Sequence, residues 1–163
     1  VMMITFAKLY VIFGYAYAYM HIQTQIMEQK TIIRCATISG ALSVALGAFG
    51  AHGLQQLETA QRITIEDIRI FETAVRYQFY HTFALLAVAA FANILNPKLK
   101  NWSVTAFIAG IIIFSGSLYL LSLSQFFFGT RMAWLGAITP LGGLSLITGW
   151  ILFFAASFSK EKI

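Results

Sequence analysis

Gly40-Ala-Leu-Ser-Val-Ala-Leu-Gly-Ala-Phe-Gly-Ala-His-Gly-Leu54, followed after a charged interlude by Phe71-Glu-Thr-Ala-Val-Arg-Tyr-Gln-Phe-Tyr-His81, is the stretch that decides the fold. Ser39, Ser43, Gly47 and Ala51 recur every fourth residue, so one side of a helix here is nearly flat and a second helix can approach its backbone closely. In water each glycine inside a helix costs about 1 kcal/mol relative to alanine. In lipid the backbone has no other partner, so the helix persists and small residues mean close packing. His52 and Gly53 are read as its end, with Gly53 as a left-handed C-terminal cap.

Working outward, 59% hydrophobic and 10% charged residues in 163 exclude an ordinary soluble domain. Four windows are apolar for long enough to cross a hydrocarbon layer about 30 Å thick. They cover roughly residues 32–50, the second half of a helix starting at Thr64, residues 102–124 and residues 132–158. The net charge of +5 comes from basic residues scattered over the ends of these runs, which excludes a nucleic-acid patch. The only cysteine, Cys35, can form no internal disulfide.

Thr64-Ile-Glu-Asp67 has the form of a capping box, with Glu66 and Asp67 at the positive end of the helix dipole. A helix from there to Ile94 is about 45 Å long at 1.5 Å per residue, so its first three turns are expected to protrude from the membrane. Arg69, Glu72 and Arg76 form a ladder of alternating charge on one face, opposite the apolar stripe Ile68, Phe71, Val75 and Phe79. Asn96-Pro97 makes a turn, Lys98 and Lys100 mark the membrane edge, and Trp102 suits the interface. Gly110 stands four residues after Ala106, the spacing of a close helix contact. Pro140, in Ile-Thr-Pro-Leu-Gly-Gly143, predicts a kink with small residues beside it. Tyr119 and the many aromatics read as lipid-facing. Residues 1–26, tyrosine-rich and broken by His21, Gln23 and Gln25, are an atypical N-terminal extension of uncertain structure, either an interfacial or an extra helix and not necessarily native.

The strings Gly-Ala-Phe-Gly-Ala-His-Gly-Leu at 47–54, Phe71 to His81, and Ile-Thr-Pro-Leu-Gly-Gly with Gly-Trp at 138–150 resemble a small membrane family catalogued as domain of unknown function 423, whose animal relatives are called transmembrane protein 256. The resemblance runs from about Met27 to Phe158. It implies a four-helix integral membrane protein, of the inner membrane in bacterial members, without an assigned activity.

The residues thus predict an all-α fold, an integral membrane bundle of four transmembrane helices over 27–163. No catalytic residues and no metal site are expected, because no nucleophile–base pair, phosphate loop, zinc signature or carboxylate pair occurs. The binding candidates are His52, Glu72, Arg76, Tyr77, Gln78 and His81. Thr73, Tyr77 and His81 at i, i+4 and i+8, with Gln78 beside them, make a polar track into the bilayer, which is expected to reach His52 and lock the first two helices together. The preferred reading is a non-enzymatic accessory or assembly subunit without a cofactor. Its partners would be the lipid bilayer, other membrane proteins or a second copy, and no nucleic acid. The alternatives are a quinone-, lipid- or haem-binding protein using His52 and His81, or, more weakly, a small transporter. Lys30, Arg34, Lys98, Lys100, Lys160 and Lys162 fall on one side of four spans and Arg62, Arg69, Arg76 and Arg131 on the other. That bias places the core's N-terminus and the C-terminus of a multi-pass protein in the cytoplasm, and the resemblance implies the inner membrane.

Overall fold

A computed structural model describes residues 29–158, and all four segments expected to span are helical. Helix α1 is Gln29–Thr59, α2 is Ile65–Ala90, α3 is Pro97–Phe128 and α4 is Leu135–Ala156. The extension 1–26, Lys160 and Lys162 lie outside the described residues. Helices α1, α3 and α4 are each long and apolar enough to cross a membrane. Helix α2 is the more polar one, and its Gln78, His81 and Thr82 are buried against the neighbouring helices.

The termini of the helices follow local chemistry. Thr64 caps α2: its hydroxyl accepts from Asp67 N at 3.2 Å, and the Asp67 carboxylate accepts from Thr64 N at 3.0 Å, the reciprocal pair the sequence predicts. Asn96 caps α3, its side-chain oxygen accepting from the amides of Lys98 and Leu99, with Pro97 in the first turn where its missing N–H costs nothing. Gly129, at φ 69°, ends α3 in the left-handed region.

Helix α1 does not end at Gly53. A π-turn over Gly50–Leu54 carries it on to Thr59, so the expected cap is an interior residue. A second π-turn, Ile111–Ser115, lies inside α3. The outer turns of α2 are therefore not bare: Phe71, Leu54 and Ile63 form a core of their own there, flanked by Tyr119, Leu123 and Phe126 of α3. Lys98 is exposed as expected of a membrane-edge residue, whereas Lys100 is buried.

Antiparallel packing sets the register. Gly40 meets Thr82, Gly47 meets Val75 and Gly50 meets Phe71 across α1 and α2. Ser39 and Ser43 lie on this seam, but Ala51 is exposed and Gly50 takes its place. Each four-residue step turns about 40° beyond a full rotation, so a fourth-residue row drifts off the contact after three steps. The tightest seam joins α3 to α4. A Cβ on Gly142 would overlap the backbone nitrogen of Phe114, one on Gly149 would lie 2.6 Å from the Phe107 ring, and one on Gly110 would strike Leu146. Gly143, the neighbour singled out from the sequence, only faces the edge of Phe114. Helix α4 continues through Pro140, which is exposed.

Candidate functional site

The polar residues of helix α2 divide between two sides. Gln78 and Thr82, one turn apart, face α1. The Gln78 amide nitrogen donates to the Ser39 carbonyl at 3.0 Å, and its oxygen accepts from the Tyr119 hydroxyl of α3 at 2.8 Å. A carbonyl can only accept, so the amide has one permitted orientation. Thr82 Oγ1 donates to the Gln78 carbonyl at 2.9 Å. Its proton is thereby engaged, and the Ser39 hydroxyl is the donor in the 2.8 Å bond between Ser39 and Thr82. Ser43 donates back to the Ser39 carbonyl at 2.9 Å.

His81 faces the other way, towards α3 and α4. Its Nδ1 lies 2.7 Å from the Tyr77 carbonyl and its Nε2 accepts the indole N–H of Trp150 at 3.3 Å. One partner only accepts and the other only donates, so the imidazole is neutral with its proton on Nδ1. The ring lies 5.8 Å from that of Phe107, and Tyr77 stacks beside it at 6.1 Å.

His52 is not near this centre. It is exposed, at the mouth of an open concavity with Gln55, Gln56 and Thr59. The α1–α2 register puts it level with residues 69–70 near the start of α2, about twelve residues and roughly 18 Å along the axis from His81. The two imidazoles therefore do not converge, and the Nε2 lone pair of His81 is already engaged. The single track expected from Thr73 through His81 is likewise split: Thr73 is bonded to the Arg69 carbonyl on the surface, and Tyr77 is half exposed. Gln78 and His81 are buried as expected, at 6% and 7% exposure. Of the charged candidates, Arg76 donates to Thr73 Oγ1 at 3.2 Å and Glu72 is exposed, and both line a shallow cleft of about 200 Å³ with Gly47 and Phe71.

Two features escaped the sequence reading. Tyr119 points inward, because its ring packs on Phe71 at 4.8 Å while its hydroxyl finds Gln78. A lateral crevice of about 450 Å³ opens between α1 and α3, walled by Ile38, Leu42, Ile108 and Ile112 and floored by Gln78 and Tyr119. The one available signal was Ser115, a polar residue one turn before Tyr119 on the same helix, whose Oγ donates to the Ala74 carbonyl of α2 at 2.9 Å. Among the described residues no group of three histidine, cysteine or acidic side chains gathers as a metal site.

The two ends of the bundle are also tied. Arg131, before α4, reaches Asp67 at the start of α2, while Gln29 donates to the Ala89 carbonyl and Asn96 N to the Ala156 carbonyl at the opposite end.

The family model described as protein of unknown function (DUF423) matches residues 46–143. The UPF0382 membrane protein SAB0533 of Staphylococcus aureus is 39% identical over 129 residues, 79% of this chain and 96% of the relative. YwdK, a UPF0382 membrane protein of Bacillus subtilis, is 40% identical over 78% of this chain and 96% of its own length. A UPF0382 membrane protein of Haemophilus influenzae is 38% identical over 84% of this chain and all of its own. No solved structure matches the chain. The family strings at 47–54, 71–81 and 138–150 thus stand in helices that pack as a membrane bundle, and the chain belongs to the DUF423 family of UPF0382 membrane proteins.

Proposed function

We propose that this chain is a non-enzymatic accessory or assembly subunit that acts by packing against other membrane helices, those of a partner protein or of a second copy. One observation supports this reading. The polar groups at membrane depth bond between the chain's own helices: Ser39 with Thr82, Ser115 with Ala74, Ser103 with Gly149, Ser145 with Ala106 and His81 with Trp150. Chemistry that needs a free acid, base or ligand set has little to draw on there, while the outer faces of α1 and α4 present Val44, Leu141, Ile147 and Phe154. Extraction from native membranes in mild detergent, followed by native mass spectrometry and a visible spectrum, tests it. A stoichiometric complex or homo-oligomer without colour is expected. A monomer carrying a coloured cofactor would replace this reading by a redox one.

The orientation that fits this role has Lys30, Arg34, Lys98 and Lys100 at the cytoplasmic face of the cell's inner membrane and Arg62, Arg69, Arg76 and Arg131 outside. Asp67 and Glu66 hold Arg131 and Arg69 locally, which weakens the topological pull of the outer arginines. A C-terminal alkaline phosphatase fusion is expected to be inactive, and periplasmic activity would reverse the assignment.

A further inference from the structure

We infer that the crevice between α1 and α3 is a binding site for a neutral, lipid-soluble molecule whose carbonyl oxygen accepts the free N–H of Gln78. The inference goes beyond the assembly reading and does not rest on it. The opening of about 450 Å³ is in the size range of small-molecule sites, and its walls are almost wholly apolar. Its floor is different. Gln78 is buried to 94%, since only 6% is exposed, yet it lines the cavity. One of its two N–H groups goes to the Ser39 carbonyl and its oxygen takes the Tyr119 hydroxyl, which leaves one donor with no partner among the described residues. These bonds also fix the amide, so that donor is held in place before any ligand arrives.

The chemistry of the lining selects the ligand. Cys35, Ile38, Ser39, Leu42, Ile112 and Ser115 carry no charge, so an anionic or cationic headgroup would be buried there without a counter-ion. A ligand entering sideways from the bilayer must be lipophilic, and the vacant group at the floor is a donor, so the ligand brings an acceptor. A carbonyl on a hydrocarbon chain meets all three conditions. Two classes supply it: a quinone ring with an apolar tail, and the ester of an uncharged glycerolipid.

The full chain in phosphatidylcholine nanodiscs is incubated with decylubiquinone, with dioleoylglycerol, or with decylbenzene, which has a similar tail and no carbonyl. Retention is measured by native mass spectrometry against empty discs, and the carbonyl stretch by infrared difference spectroscopy. One carbonyl ligand per chain is expected, with its stretch shifted to lower frequency, and whichever of the two is retained identifies the source. Ile38→Trp fills the mouth from an exposed position and is expected to weaken retention at least tenfold without lowering the thermal midpoint. Gln78→Met is expected to abolish the infrared shift. Retention of neither ligand, equal retention of decylbenzene, or full retention in Ile38→Trp would overturn the proposal, as would a second copy of the chain found seated against Ile38 in place of ligand.

Discussion

Asp67 Oδ1 receives Arg131 Nη1 at 2.9 Å, and the same carboxylate caps α2 through Thr64, so one buried side chain both starts that helix and pins the loop before α4. Asp67 is 2% exposed, whereas the arginine is nearly half in solvent.

The two partners are therefore expected to differ in cost. Asp67→Ala removes the cap and the ion pair and lowers stability by on the order of 2 kcal/mol. Arg131→Gln loses a partly screened pair and costs about 1 kcal/mol or less. Thermal unfolding in detergent measures both, and a larger loss for Arg131→Gln would show that the loop, not the cap, carries the contact.

Protonation of His81 on Nδ1 makes Trp150 its only donor. Trp150→Phe retains an aromatic ring but leaves a buried nitrogen without its partner, with an expected loss of about 1–3 kcal/mol, and His81→Ala falls in the same range. Nitrogen NMR of labelled histidine should find the proton on Nδ1 in the parent protein. A proton on Nε2 would contradict the assignment.

Gly142 and Gly143 are adjacent in sequence and opposite in consequence. At 142 a methyl group has no room beside Phe114 N, whereas at 143 it lies 3.7 Å from the Phe114 ring, an ordinary contact. Gly142→Ala is expected to push α3 from α4 and cost about 1–3 kcal/mol, and Gly143→Ala to be neutral or to stabilise by up to about 1 kcal/mol through helix propensity. Melting midpoints that move the same way in both variants would refute this distinction.

That pair also marks how far the sequence was legible. Periodicity, apolar length and the Thr64 capping signal are local, and they lead to four helices with nearly correct starts. Which of two neighbouring glycines meets a backbone depends on helix rotation, which the two π-turns and the crossing geometry set and no residue pattern announces. Tyr119 was misjudged for a related reason: an aromatic in a span faces lipid by default, and only the position of Gln78 on another helix turns it inward. His52 and His81 shared a motif-bearing stretch, but sharing a stretch says nothing about depth once the helices run antiparallel.

Ser39 and Tyr119 hold Gln78 from two helices, so their contributions should not add. Ser39→Ala leaves Gln78 bonded to the backbone carbonyl and takes away only the bond that Thr82 Oγ1 accepts, and Tyr119→Phe frees the amide oxygen. Each is expected to cost about 0.5–1.5 kcal/mol. The double variant should depart from the sum by at least about 0.5 kcal/mol, because both side chains belong to one network, Ser39 through Thr82 Oγ1 and the Gln78 carbonyl and Tyr119 through the Gln78 amide oxygen. Strict additivity in a double-mutant cycle would mean the network is two independent bonds.

The π-turn at Ile111–Ser115 holds one residue more than an α-turn would, which makes α3 sensitive to chain length as well as to composition. Were the turn to relax to ordinary α-helix with that residue retained, everything beyond it would rotate by about 100° relative to α1 and α2. Tyr119 would leave Gln78, Ser117 would leave Thr139, and the crevice would lose half its floor, although no side chain had changed identity. In this helix the kind of turn at Ile111–Ser115 sets which way Ser117 and Tyr119 face, information that no single side chain carries.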